Sequence, residues 1–204
     1  MTGGRSGYPA RPAETSVPIH PPIAARWSPS RFDERRDVSR EELLALLEAA
    51  RWAPSSGNEQ PWRFLVVPRG HPRRAAVEAA LRPGNAYARR APVLLVSVAK
   101  LTREKKGDPN AWAEHDTGLA TAMLLVQATV LGIATHPMGG WSAEVLREAL
   151  EIPAEYRPLA VIAVGRHDPT LRDEALEERE DRPRKRRPLG ETAFYGALGE
   201  EPVT

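Results

Sequence analysis

Apolar residues recur along this chain with two different periods, and the changes of period mark out its elements. Leu43, Leu46, Leu47 and Ala50 fall at helical spacing behind Ser39 and Glu42. Ser-x-x-Glu lets a hydroxyl and a carboxylate satisfy the first amides of a helix, so a helix is predicted over 39–53, stopped at Pro54. Phe64 to Val67, closed by Pro68, and Val93 to Ala99, entered from Pro92, are short apolar runs rich in strand formers, and Leu159 to Gly165 is a third. Between the first two, Pro72 to Leu81 is helix-like and Pro83-Gly84-Asn85 breaks it. Residues 111–131 form the longest helical pattern, apolar on nearly every face from Leu119 onward, with Gly132 as a left-handed stop. Ser142 is the expected cap of a short helix carrying Val145, Leu146 and Leu150. The alternation of helices and buried strands predicts an α+β or α/β sandwich around a small mixed sheet.

The ends look different. Pro9, Pro12, Pro18, Pro21 and Pro22 crowd the first 23 residues without apolar periodicity, so a flexible or surface-wrapping arm is expected there and a single domain over 24–204. Charge dominates from His167 to Arg187. No repeat of solenoid period is visible.

Composition narrows the chemistry. A chain of 204 residues, 41% hydrophobic, suffices for one core. With no cysteine, disulfides, thiolate ligands and a cysteine nucleophile are excluded, and any redox chemistry must come from a bound cofactor. The apolar stretch from Gly118 to Ile133 is interrupted by Thr121, Gln127 and Thr129 and falls short of the ~20 residues a bilayer crossing needs. It is expected in the core or at a subunit interface. The first 23 residues have no apolar h-region, which points to a cytoplasmic protein. Basic and acidic residues nearly cancel, 29 against 27, so no nucleic-acid partner is demanded. His20, His71, His115, His136 and His167 have no metal-ligand spacing, and no metal is expected. No Gly-x-Ser-x-Gly elbow, Walker loop or Gly-x-Gly-x-x-Gly occurs. His115 and Asp116, neighbours on a helix, read as structural because adjacent helical side chains do not face each other.

Three segments and two single residues remain. Ala53-Pro54-Ser55-Ser56-Gly57-Asn58-Glu59-Gln60-Pro61-Trp62 is a polar turn between a helix and a strand; it is either a plain turn or a surface for a polar planar ring. Pro137-Met138-Gly139-Gly140 is a turn whose glycines would let a backbone approach a flat ring. Arg184 to Arg187 is a solvated charge run, a nucleic-acid tail or an anion site. Arg26 is an ordinary surface arginine or part of the same anion site. Asn85 is a helix cap or a ring contact.

Taken in their order along the chain, four motifs resemble the nitroreductase family, over roughly residues 23–200. Ala53 to Trp62 resembles the family's Ala-Pro-Ser-x-x-Asn-x-Gln-Pro-Trp segment. Arg26-Trp27-Ser28-Pro29-Ser30-Arg31-Phe32 resembles its Arg-Arg-Ser-x-Arg-x-Phe phosphate motif, departing from it at Trp27 and Ser30, where basic residues are lost and Arg31 is the available substitute. His136-Pro137-Met138-Gly139-Gly140-Trp141 resembles its glycine turn, and Arg184-Lys185-Arg186-Arg187-Pro188-Leu189 with Phe194-Tyr195-Gly196 its closing segment. The resemblance implies a three-layer α/β/α homodimer with a mixed sheet and two FMN molecules at its interface. NAD(P)H would reduce the flavin and an oxidised acceptor, a nitroaromatic or a quinone, would then take the electrons. Arg26, Trp27, Ser28, Ser30, Arg184 and Arg186 are implied near the phosphate. Pro54, Ser55, Ser56, Asn58, Gln60, Asn85, Pro137, Met138, Gly139 and Gly140 are implied near the ring. No side-chain nucleophile or essential acid is implied, since the cofactor carries the chemistry. A flavin-binding or flavin-fragmenting relative without NAD(P)H turnover is the alternative, and Leu101 to Asn110 is the expected substrate loop.

Overall fold

The computed structural model describes residues 11–203, so the first ten residues of the expected arm, Pro9 among them, lie outside the described residues. Among the described residues six α-helices, α1 (Pro21–Ala25), α2 (Arg40–Arg51), α3 (Arg74–Ala80), α4 (Ala113–Val130), α5 (Ala143–Leu150) and α6 (Glu174–Asp181), accompany four strands, β1 (Trp62–Pro68), β2 (Val93–Lys100), β3 (Ala134–Met138) and β4 (Tyr156–Gly165). The strands form one sheet in the order β1-β2-β4-β3. The fold is α+β, and all three strand pairings are antiparallel where a mixed sheet was expected. The register slips once, between Ser97 and Val98 opposite β4, where Pro158 cannot donate to the ladder.

Alternation along the strands builds two cores. Leu94, Val96 and Val98 of β2 face one side with Val161 and Ala163 of β4, against α3 and α5 through Val77, Ala80 and Leu146. Val93 and Leu95 face the other with Ile162 and Val164, against α2 and α4 through Leu46, Ala50, Ala120 and Leu124. The chain is therefore three-layered by itself. Arg74, almost fully buried, ties two segments of this body by donating to the carbonyls of Val67, Arg89 and Ala91.

Local chemistry sets the helix ends. Ser39 accepts from the Glu42 N–H at 3.1 Å while Glu42 accepts from the Ser39 N–H at 3.0 Å, the expected capping box. α4 closes with Ile133 N–H on the Ala128 carbonyl at 2.8 Å and Gly132 N–H on the Thr129 carbonyl at 3.1 Å, with Gly132 at φ 66°. That is a Schellman stop, possible without strain because glycine occupies the left-handed position. Three elements were not anticipated. α1 starts within the expected arm. β3 occupies a segment read as turn, and α6 lies inside the charged tail. Among the described residues no helix is long and apolar enough to cross a membrane.

Candidate functional site

The turn after α2 is wound tightly. Ser55 precedes a 3-10 turn over Ser56–Asn58, and Gly57, Asn58 and Gln60 all have positive φ, at 59°, 57° and 49°. Glycine and asparagine tolerate that region; glutamine there stores strain that surrounding contacts must offset. Those contacts are the Gln60 N–H on Ser55 Oγ at 3.1 Å, Gln60 Nε2 on the Asn58 carbonyl at 3.2 Å, and the Ser56 N–H on Asp116 Oδ2 at 2.9 Å. Pro54, Ser56, Asn58 and Gln60 remain exposed, presented outward by a loop that Asp116 pins to the first turn of α4.

Asp116 has a second partner. Its Oδ1 lies 2.9 Å from His115 Nδ1, so these adjacent residues do meet, against expectation. The Asp116 carboxylate is buried, while His115 reaches back along the helix surface to it, 58% exposed.

The Gly139-Gly140 turn leaves the end of β3. Met138 sends its side chain into the core, so only its backbone is available to a ligand. The Gly140 carbonyl accepts from the Arg82 N–H at 3.0 Å and from Asn85 Nδ2 at 2.9 Å. Asn85 thus holds the turn from a 3-10 helix over Pro83–Arg90. A Cβ at Gly140 would sit 2.7 Å from Asn85 Nδ2, whereas a Cβ at Gly139 would meet nothing within 4 Å. Among the described residues no group accepts the N–H of Gly139 or Gly140. The turn is locked from behind, open in front and carries two spare donors.

The basic segments meet elsewhere. Arg26, Arg184, Lys185, Arg186 and Arg187 line one open cleft of about 750 Å³, with Ile23 and Leu189 among its apolar walls. Their roles differ. Arg184 donates to the carbonyls of Ala24 at 2.9 Å, Arg26 at 2.8 Å and Arg11, fastening the C-terminal segment to the N-terminal one. Arg186 is exposed and, among the described residues, bonds only its neighbour's carbonyl at 2.8 Å. Arg26 reaches Ser28 Oγ at 3.4 Å. Trp27 is buried with the Arg11 guanidinium 4.8 Å above its ring. Ser30 is buried and, among the described residues, its Oγ has no partner. Arg31, the available substitute for the missing basic residue, is committed to Glu180 instead.

Glu180 is the residue the sequence did not reveal. From α6 it accepts from the Ser30 N–H at 2.6 Å, the Arg31 N–H at 2.8 Å, Arg31 Nε at 2.8 Å and His167 Nε2 at 3.0 Å. Burial alone would raise its pKa, but the bonds from His167, Arg31 and the two amides outweigh burial and hold it at about 2. A second buried pair stands beside this loop. His136 Nδ1 lies 2.9 Å from the Pro29 carbonyl and Nε2 lies 3.0 Å from Tyr87 Oη. A carbonyl only accepts, so Nδ1 carries the proton and Nε2 accepts from tyrosine. Burial first, and the nearby Arg179 and Arg26 charges, bring His136 down to about 4 despite the Pro29 bond; burial pushes Tyr87 up to about 12. The guanidinium of Arg179 stacks 4.6 Å over the Tyr87 ring. Single histidines and glutamates at no recognisable spacing gave no sequence signal for either network. Among the described residues no three His, Asp or Glu side chains converge as a metal ion requires.

The sheet relates the two ring-facing candidates. Trp62 at the start of β1 pairs with Ala99 at the end of β2, which pairs with Arg157 near the start of β4, and the end of β3 runs to that same end of the sheet. The 55–60 loop and the Gly139-Gly140 turn therefore lie toward one end of the sheet at its opposite edges, separated across it by three strand spacings of about 5 Å each.

Known proteins share this fold. A structure described as the oxidoreductase containing FMN superimposes with a TM-score of 0.85 at 35% identity, covering 92% of this chain and 96% of that one. An FMN complex of a nitroreductase-type protein from Desulfovibrio desulfuricans gives a TM-score of 0.69 at 30% identity, covering 90% and 96%. The NADH dehydrogenase of Thermus thermophilus is 31% identical over 163 residues, 64% of this chain and 78% of that protein. The model of the nitroreductase family matches residues 23–86 and 74–166, which include both glycine-bearing turns and the Arg26 motif. This chain belongs to the nitroreductase family.

Proposed function

We propose that residues 24–204 form an FMN-binding domain that takes electrons from NAD(P)H and passes them to an oxidised small-molecule acceptor, a quinone or a nitroaromatic, in two half-reactions. The observation that carries this reading is the Gly139-Gly140 turn, with its open face and two spare N–H donors. Backbone donors of this kind steady charge on a ring nitrogen without reorganising. The donor set fits the rest of the cofactor. Arg26, Arg186 and Arg187 line a cleft that suits a phosphate dianion, and Ser55, Ser56, Asn58 and Gln60 offer hydroxyls and amides to the polar edge of a ring. Bound FMN would supply the hydride chemistry. The chain's own residues orient the ring, neutralise the phosphate and leave one face open. Arg184 acts as a fastener between the two chain ends, and Pro137 and Met138 contribute backbone.

The two ring-facing candidates stand too far apart to close on one ring from the same side, which supports a homodimer in which one subunit's 55–60 loop meets its partner's glycine turn. The exposed apolar residues of α4, Met123 and Val130, support the same arrangement.

Purified protein carrying flavin absorbance, and oxidising NADH or NADPH steadily when a quinone or nitroaromatic is added, is the expected result. Colourless protein that ignores added FMN overturns the reading; flavin-loaded protein that never oxidises NAD(P)H assigns the chain to binding alone. Arg186→Ala should weaken FMN binding about tenfold, the loss expected of one charge-assisted contact. It is a cleaner test than Arg184→Ala, which would also unfasten the carbonyls of Ala24 and Arg26.

A further inference from the structure

The two oxygens of Asp116 are used separately. Oδ2 takes the Ser56 N–H and Oδ1 takes His115 Nδ1, each at 2.9 Å. A carboxylate only accepts, so Nδ1 carries a proton and Nε2 is left to take up and give up a second one. Among the described residues nothing bonds Nε2, and the Trp112 ring packs edge-on against the imidazole, centroids 5.6 Å apart. An exposed imidazole steered through one nitrogen by a buried carboxylate, with the other nitrogen facing solvent, has the form of an acid-base group. Its position matters as much as its form. The carboxylate that steers it also fixes the 55–60 loop, so the imidazole stands on the rim of the proposed ring wall.

We propose that His115 is the proton donor to the acceptor in the second half-reaction, with Asp116 as its positioning residue, an assignment that rests on the FMN reading. For a quinone, hydride from the reduced flavin forms a bond to one oxygen and leaves the negative charge on the other. The Nε2–H bond of the His115 imidazolium breaks, its proton neutralises that oxygen, and a hydroquinone, oxidised flavin and a neutral imidazole result. Solvent reprotonates Nε2. Asp116 stabilises the imidazolium throughout, and Trp112 offers a flat apolar wall to an aromatic acceptor.

The test is single-turnover reoxidation of the FMN-loaded, NADH-reduced protein. His115→Ala should bind FMN and accept electrons from NADH as the wild type does, but its reoxidation by p-benzoquinone should slow on the order of 100-fold. Added imidazole should restore part of that rate, since the site is open to solvent. Ferricyanide, which takes electrons without a proton, should reoxidise both proteins equally. His115→Gln should behave like His115→Ala with quinone. A flavin-loaded His115→Ala that matches the wild type with quinone, loses equally with ferricyanide or ignores imidazole overturns this assignment alone. Wild type that takes up no FMN overturns it together with the reading beneath it.

Discussion

One carboxylate organises the loop that carries Ser30 and Arg31. Glu180 is buried, yet it receives four donors, two of them backbone amides of residues 150 and 149 positions earlier. Removing it leaves Arg31 only the more distant Glu177 at 3.8 Å, takes the acceptor from buried His167 and leaves both amides unsatisfied, and breaking such a buried pair costs about 3–5 kcal/mol. Glu180→Ala should therefore lower the thermal midpoint by roughly 10 °C in a domain of this size, read by calorimetry. A drop of only a degree or two would show that water replaces the carboxylate freely. His136 sets a different dependence. Its folded pKa, about 4, lies below its ordinary 6.5, so the unfolded chain takes up a proton that the folded chain refuses between those values. Stability must then fall as pH drops from about 6.5 to 4 and gain no further loss from this group below that. Glu180 adds a fall of its own from about 4.5 toward 2, because its depressed pKa stabilises only while the carboxylate is ionised. Thermal melts at pH 7, 5.5 and 4.5 check the histidine: His136→Gln, which can still donate to Pro29 and accept from Tyr87, should flatten the slope across that window. An unchanged slope would assign it to other groups.

Elements differ in how openly the chain announces them. α2 and α4 were legible because their ends are written in neighbouring residues, Ser39 with Glu42 and Leu131 with Gly132, and because their apolar faces repeat within a few turns. Gly132 can be tested directly. Any side chain there must adopt the left-handed region, so Gly132→Ala should cost about 1–2 kcal/mol in chemical denaturation, while Ala substituted at exposed Gly118 inside α4 should not destabilise. Equal effects at both positions would refute the Schellman account. β3 stayed hidden because Ala134-Thr135-His136-Pro137-Met138 does not alternate and contains a proline. It survives as a strand because it is an edge, where the missing Pro137 donor faces no partner strand. α6 stayed hidden for the opposite reason. Its sequence is nearly all charge, and it is held by the Asp173 cap and the buried Glu180 network rather than by an apolar stripe. The candidate site was legible as motifs in order, since turns and basic clusters are local. Its supporting pairs, Glu180 with Ser30 and His136 with Pro29, join residues more than 100 positions apart, and no local pattern encodes such a meeting.

At the scale of the molecule, the sheet decides what one chain can do alone. Its two faces are both covered, by α2 and α4 on one side and by α3 and α5 on the other, so the sheet itself offers no binding surface. What is left open is one strip of α4, where Met123 is 44% and Val130 53% exposed while Ala120, Leu124 and Ala128 on the opposite face pack into the core. Covering that strip with a second copy would remove apolar area from water at about 25 cal/mol per Å² and would bring the 55–60 loop, pinned to α4 through Asp116, toward a partner's glycine turn. Charges placed in the strip should undo both at once. Met123→Glu with Val130→Lys, both surface changes within one chain, should leave the fold intact by circular dichroism and convert a particle of twice 22.5 kDa into one of 22.5 kDa by sedimentation. FMN affinity should fall with it by far more than the tenfold expected for Arg186→Ala, because half of each pocket is lost rather than one phosphate contact. A monomeric variant that keeps wild-type FMN affinity would place the whole pocket within one chain, and the width of the sheet between loop and turn would then have to be closed by movement of the loop.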